Sequence, residues 1–114
     1  IHADNEQLKF GSGYDHNFAL DRTGDEVEKV ATAYAPESGI QLEVYTACPG
    51  TQLYSANFIQ GQKGKGGVVY KDWEAFCLET QYFPNSINEP NFKSPITKAG
   101  KDYASKTIYK FSIA

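Results

Sequence analysis

An all-β, antiparallel sandwich is the fold class the sequence predicts. Three observations carry it: a high aromatic content, strict period-two alternation in two segments, and turn residues that recur at short intervals. Aromatic side chains make up 14% of the 114 residues, as one Trp, eight Tyr and seven Phe. Together with many β-branched residues they favour the half-buried, pleated surface of a sheet. Gly, Pro and Asn clusters punctuate the chain often enough for several short strands joined by turns.

The expected strands follow in order. Residues 17–20 form a first short strand. Residues 27–34 suit a helix by propensity, but Pro36, Ser38 and Gly39 would stop it early, and Val30, Thr32 and Tyr34 alternate as in a strand. In residues 40–45, Ile40, Leu42 and Val44 share one face and Gln41, Glu43 and Tyr45 the other, which reads as a half-buried antiparallel strand. Residues 52–58 and 75–81 are further strands. The closing run alternates Tyr103, Thr107, Tyr109, Phe111 and Ile113 with Lys106, Lys110 and Ser112, again a half-buried strand. Residues 84–96 carry Pro84, Pro90 and Pro95 and three asparagines, and are expected to run irregularly over the surface. No internal repeat or linker is visible.

Composition narrows the function. A chain of 12.6 kDa is one domain's worth of polypeptide, able to bury roughly two-thirds of its unfolded surface. With 11 basic and 14 acidic residues the formal charge is −3, which leaves no electrostatic footprint for nucleic acid or an anionic membrane. No apolar run approaches the roughly 20 residues needed to cross a bilayer. Two cysteines, Cys48 and Cys77, are too few for a disulfide scaffold, and no Asn-x-Ser/Thr sequon occurs, so a reducing, cytoplasmic location is expected. The chain opens on Ile1 and contains no methionine, which reads as a fragment or a processed piece.

Several residue groups could carry chemistry. Gly61-Gln62-Lys63-Gly64-Lys65-Gly66-Gly67 invites a phosphate cradle, but a P-loop needs Gly-Lys-Ser/Thr leading into a helix, whereas this segment leads into Val68-Val69-Tyr70. A hairpin or surface loop is the expectation. His2, His16 and the cysteines show no metal-ligand spacing, and Cys48 and Cys77 read as two small buried side chains rather than a bridge or a nucleophile. In Ala75-Phe76-Cys77-Leu78-Glu79-Thr80-Gln81, alternation puts Phe76, Leu78 and Thr80 on one face and Cys77, Glu79 and Gln81 on the other, so Glu79 is held on a rigid element where a carboxylate can serve as a general base. On spacing alone a strand glutamate such as Glu79 is by default a solvated residue, and Asp15 beside His16 and Gln52 after Pro49-Gly50 are by default turn or cap residues.

Gly13-Tyr14-Asp15-His16-Asn17-Phe18, Leu42-Glu43-Val44-Tyr45-Thr46, Pro49-Gly50-Thr51-Gln52-Leu53-Tyr54-Ser55-Ala56-Asn57-Phe58 and Leu78-Glu79-Thr80-Gln81 together resemble the carboxy-terminal part of the aldose 1-epimerase family. The following Pro84-Asn85-Ser86 and Asn88, and the closing Gly100, Tyr103, Thr107 and Tyr109-Lys110-Phe111, fit the same pattern, so the resemblance runs in order from residue 13 to residue 114. It implies that residues 1–114 are the carboxy-terminal portion of a single large antiparallel β-sandwich domain. It also implies an isomerase that interconverts the α and β anomers of aldohexoses such as galactose and glucose. Glu79 matches the family's catalytic base, and Asp15 and Gln52 match substrate-binding positions. Proton transfer is the whole of that chemistry, so neither a metal nor an organic cofactor is expected.

In the family the general acid is a histidine of the amino-terminal part, where a second sugar-binding histidine and an arginine also lie; His2 and His16 do not match those positions. The resemblance therefore implies a partner for this chain, the amino-terminal part of the same enzyme, and an apolar face left uncovered without it. Two alternatives stay open within the fold. One is a non-catalytic carbohydrate-binding module. The other is a relative acting on a hexose phosphate, with Lys63 and Lys65 near the phosphate.

Overall fold

A computed structural model describes residues 1–114. The chain is all-β in class, with one short helix, α1 (Glu6–Gly11), and six strands: β1 (Asp15–Ala19), β2 (Glu28–Ala35), β3 (Ile40–Thr46), β4 (Gly50–Tyr54), β5 (Cys77–Gln81) and β6 (Thr107–Ile113). The strands form two three-stranded sheets, ordered β1-β4-β5 and β2-β3-β6. Packing divides the chain into two compact units, Ile1–Phe18 with Gln52–Glu79 and Ala19–Thr51 with Thr80–Ala114. No helix is long and apolar enough to cross a membrane.

The second unit holds the β2-β3-β6 sheet, antiparallel throughout. Its register places Ala31, Ala33 and Ala35 opposite Val44, Leu42 and Ile40, and these opposite Tyr109, Phe111 and Ile113. Over this stretch one face is apolar apart from the Tyr109 hydroxyl, and the Thr46–Thr107 pair continues it. Val44 is fully buried, but Phe111 and Ile113 remain 68% and 76% exposed. The half-burial expected for the closing strand therefore fails from Tyr109 (48% exposed) onward, and Tyr103 lies outside the strand altogether. What is buried on the other face is a charge. Glu43, only 7% exposed, accepts from Lys29 Nζ at 3.0 Å, Lys110 Nζ at 2.9 Å and the Tyr45 hydroxyl at 3.2 Å. A bulge between Lys29 and Ala31 shifts the register of β2 on the lysine's side of the pairing. The two ammonium groups, Lys110 first, hold the Glu43 carboxyl down at about 2.

Arg22 anchors the entry to β2. Its guanidinium donates to the carbonyls of Thr46 (2.7 Å), Cys48 (3.3 Å), Gly24 (2.7 Å) and Glu26 (2.6 Å), using the planar fork to tie a turn to the end of β3. Cys48 is buried and free, as expected; Cys77 is free but exposed, because it shares an outward position on β5 with Glu79.

In the first unit, α1 was not foreseen. Asn5 caps it by accepting from the Gln7 N–H at 2.9 Å, Ser12 closes it in the left-handed region (φ 56), and Leu8 is its single buried side chain. The expected strand over 52–58 ends at Tyr54, and that over 75–81 begins at Cys77. The Gly/Lys segment is a surface hairpin as anticipated: Lys63 bridges Val69, and a short 3₁₀ turn (Lys65–Gly67) forms its tip. Residues 84–96 are irregular apart from one 3₁₀ turn (Ser86–Asn88).

Candidate functional site

Asp15 opens β1, and the approach to it is fixed by backbone bonds to buried side chains. Asn57, 2% exposed, donates from Nδ2 to the carbonyls of Gly11 (2.8 Å) and Tyr14 (3.0 Å). Ser55 donates to Asn57 Oδ1 at 2.6 Å and accepts from the Tyr14 N–H at 2.9 Å. The Ser55 N–H in turn donates to the Tyr14 carbonyl at 3.0 Å. This network needs the chain to pass close at Gly13: its φ is +139, and a β-carbon there would sit 2.4 Å from Asn57 Oδ1 and 2.7 Å from Ser55 Oγ. Ser55 and Asn57 therefore leave the strand pairing that the alternation suggested and spend their polar groups on holding the segment before Asp15.

Gln52 lies on β4, the central strand of its sheet, between β1 and β5. Its Nε2 donates to Asp15 Oδ1 at 2.8 Å, joining two side chains 37 residues apart. The other end of the amide is unmatched: Gln52 Oε1 is buried with no hydrogen-bond partner, and so is Asn17 Nδ2, two residues on from Asp15 and hence on the same face of β1. A buried polar atom without a partner costs about 1–3 kcal/mol, so each one in a folded protein has a reason, an arriving ligand being one; Thr51 Oγ1, next to Gln52, is a third. Asp15, Gln52 and Asn17 together present a carboxylate, an unpaired carbonyl oxygen and an unpaired amide donor, a set that matches vicinal hydroxyls, each of which both donates and accepts.

Glu79 stands on β5, the neighbour of β4 on the side away from β1. It is exposed, and its carboxylate makes no hydrogen bond or ion pair. Asp15, Gln52 and Glu79 thus come from three adjacent strands of one sheet, and all three belong to the first compact unit. The structure joins Asp15 and Gln52 directly and leaves Glu79 free on the next strand.

Of the remaining candidates only His16 touches these residues, and only through backbone. His16 turns back locally, its Nδ1 accepting the Asp15 N–H at 3.0 Å, and His2 packs edge-on against Trp73. Lys63 and Lys65 are exposed on the hairpin and share no hydrogen bond with Asp15, Gln52 or Glu79. Sequence reading missed the positioning roles of Ser55 and Asn57. Their only visible signal was a pair of small polar residues two apart at a strand's end.

Known proteins resemble the chain along nearly its whole length. It matches the aldose 1-epimerase family over residues 2–110. Galactose mutarotase of Sus scrofa is 45% identical over 104 residues, and that of Homo sapiens 43% over 104, each alignment covering 90% of this chain and 30% of the relative. Aldose 1-epimerase of Escherichia coli is 38% identical over 111 residues, covering 96% of this chain and 32% of the relative. The chain therefore spans about a third of the length of these curated relatives.

Proposed function

Because the chain belongs to the aldose 1-epimerase family, we propose that it carries the base-bearing half of a mutarotase sugar site and forms the carboxy-terminal portion of a single β-sandwich domain. The observation that carries this reading is the Asp15–Gln52 pair, with Gln52 Oε1 buried and unmatched beside it. Asp15 and Gln52 hold an aldohexose such as galactose or glucose by its hydroxyls, and fix the ring so that the C1 hydroxyl faces Glu79.

The reaction is proton transfer. The Glu79 carboxylate accepts the proton of the C1 hydroxyl while a general acid protonates the ring oxygen. The C1–O5 bond breaks as the C1–O bond becomes a carbonyl, giving the open-chain aldehyde. Rotation about C1–C2 presents the other carbonyl face, and reclosure with the two protons returned delivers either anomer. In this reading the acid comes from outside these 114 residues, from the amino-terminal part of the same enzyme. Glu79 is suited to the base role because its exposed carboxylate is not already committed to an ion pair, unlike Glu43, which two lysines hold ionised down to about pH 2.

The test uses the complete protein and freshly dissolved α-D-galactose, α-D-glucose and the corresponding 6-phosphates, followed by polarimetry. Acceleration with the free sugars is the expected result. Acceleration confined to the phosphates would transfer the reading to a hexose-phosphate enzyme, and binding of the free sugars without acceleration would leave a carbohydrate-binding module.

A further inference from the structure

The aim of the Asp15 carboxylate depends on the peptide that carries it, and that peptide is gripped at both ends. The bond between Tyr14 and Asp15 is trans, so its carbonyl and its N–H point in opposite directions. The Tyr14 carbonyl accepts the Ser55 N–H and Asn57 Nδ2, each at 3.0 Å. Those partners follow directly on β4, so the Asp15 N–H points the other way. β1 is an outer strand of its sheet, and no strand of that sheet stands on this side to accept the donor. An edge N–H of this kind is ordinarily left to water. Here it has a fixed partner: His16 Nδ1 accepts it at 3.0 Å.

This bond sets the state of the imidazole. Nδ1 accepts only when it carries no proton, so the ring is neutral with its hydrogen on Nε2. The ring is itself held in place, half-buried and edge-on to Tyr14 with centroids 6.0 Å apart at 82°. Asn5, Gln7, Leu8, Asn17 and Phe18, which line the cavity beside it together with Tyr14, carry no charge, so no carboxylate there draws the imidazole off the amide. The Asp15 carboxylate is engaged elsewhere, its Oδ1 accepting from Gln52 Nε2 at 2.8 Å. With Ser55 and Asn57 on one end of the peptide and His16 on the other, the plane cannot rotate, and Asp15 has little freedom left to lose when a ligand arrives.

We propose that His16 is a positioning residue of the sugar site: its neutral imidazole, accepting through Nδ1, locks the Tyr14–Asp15 peptide and so sets the aim of the Asp15 carboxylate. The proposal rests on the sugar-site reading above. Two variants of the complete protein separate the acceptor from the ring. His16→Phe keeps a ring against Tyr14 and removes the acceptor, whereas His16→Asn gives up the ring and puts Oδ1 where Nδ1 stood. His16→Phe is expected to raise KM for galactose about threefold to tenfold, the worth of one hydrogen bond, with kcat within about twofold of the wild type, and His16→Asn to restore most of the KM. A ring that serves only as packing gives the reverse order. A phenylalanine variant with unchanged KM, or an asparagine variant no better than it, would therefore overturn the proposal. The wild type supplies a second measurement that needs no variant to fold: nitrogen-15 spectra of the imidazole are expected to show the Nε2–H tautomer, and a proton on Nδ1 would overturn the peptide lock. Failure of the wild type to mutarotate galactose would instead remove the sugar-site reading, while the tautomer would still report on the lock itself.

Discussion

At Gly13 a single hydrogen atom lets the segment before Asp15 pass close to Ser55 and Asn57. The β-carbon of any other residue would press into Asn57 Oδ1 and Ser55 Oγ, both already committed to the Tyr14 backbone or to each other. Gly13→Ala is expected to destabilise the complete protein by about 1–3 kcal/mol, the usual range for overpacking a tight site, and to raise KM for galactose. Denaturant unfolding and polarimetry measure the two effects, and a variant with neither would show that this close approach does not position Asp15. Residues of this kind are hard to find in a sequence. Gly13, Ser55 and Asn57 look like turn formers, and only the fold reveals that they meet across more than 40 residues.

At the scale of elements, the β2-β3-β6 sheet owes its buried polar side to one carboxylate and two lysines. Glu43 has a folded-state value depressed from about 4.5 to about 2, so its charged form stabilises the fold above the unfolded value and that contribution is lost as pH falls from 4.5 towards 2. Glu43→Gln is expected to lower the thermal midpoint at neutral pH and to flatten its pH dependence across that window. A wild type and variant with parallel profiles between pH 4.5 and 2 would contradict the linkage.

These elements differ in how far the sequence discloses them. β2, β3 and β6 are legible because alternation survives in long strands whose register pairs apolar with apolar, as at Leu42 and Phe111. The burial of Glu43 is not, since a strand glutamate looks the same whether it faces water or two lysines. The helix α1 escapes because six residues with one buried leucine make no periodic signal. β4 stops short of residue 58 because Ser55 and Asn57 bond to the segment before Asp15. The sheet that places Asp15, Gln52 and Glu79 on adjacent strands joins segments far apart in the chain, so spacing alone could not gather them; the family resemblance did.

For the molecule as a whole, one apolar sheet face is largely exposed in a chain that spans about a third of its relatives' length. Phe111 and Ile113 stand opposite Leu42 and Ile40 and are largely exposed. Reading the 114 residues as one portion of a larger sandwich, the rest of the domain buries that face. Phe111→Ala should then cost the complete protein about 3 kcal/mol in denaturant unfolding, as for a core phenylalanine. A cost within about 0.5 kcal/mol, as for a surface site, would place Phe111 in solvent there too.

The most direct test of the central claim is Glu79→Gln in the complete protein, read by polarimetric mutarotation of α-D-galactose and by calorimetric galactose binding on the same sample. The account predicts that turnover falls by about 10²–10⁴, the worth of a positioned general base, while binding at Asp15 and Gln52 persists. Unchanged turnover with galactose still bound would contradict it and dismiss Glu79 as the base.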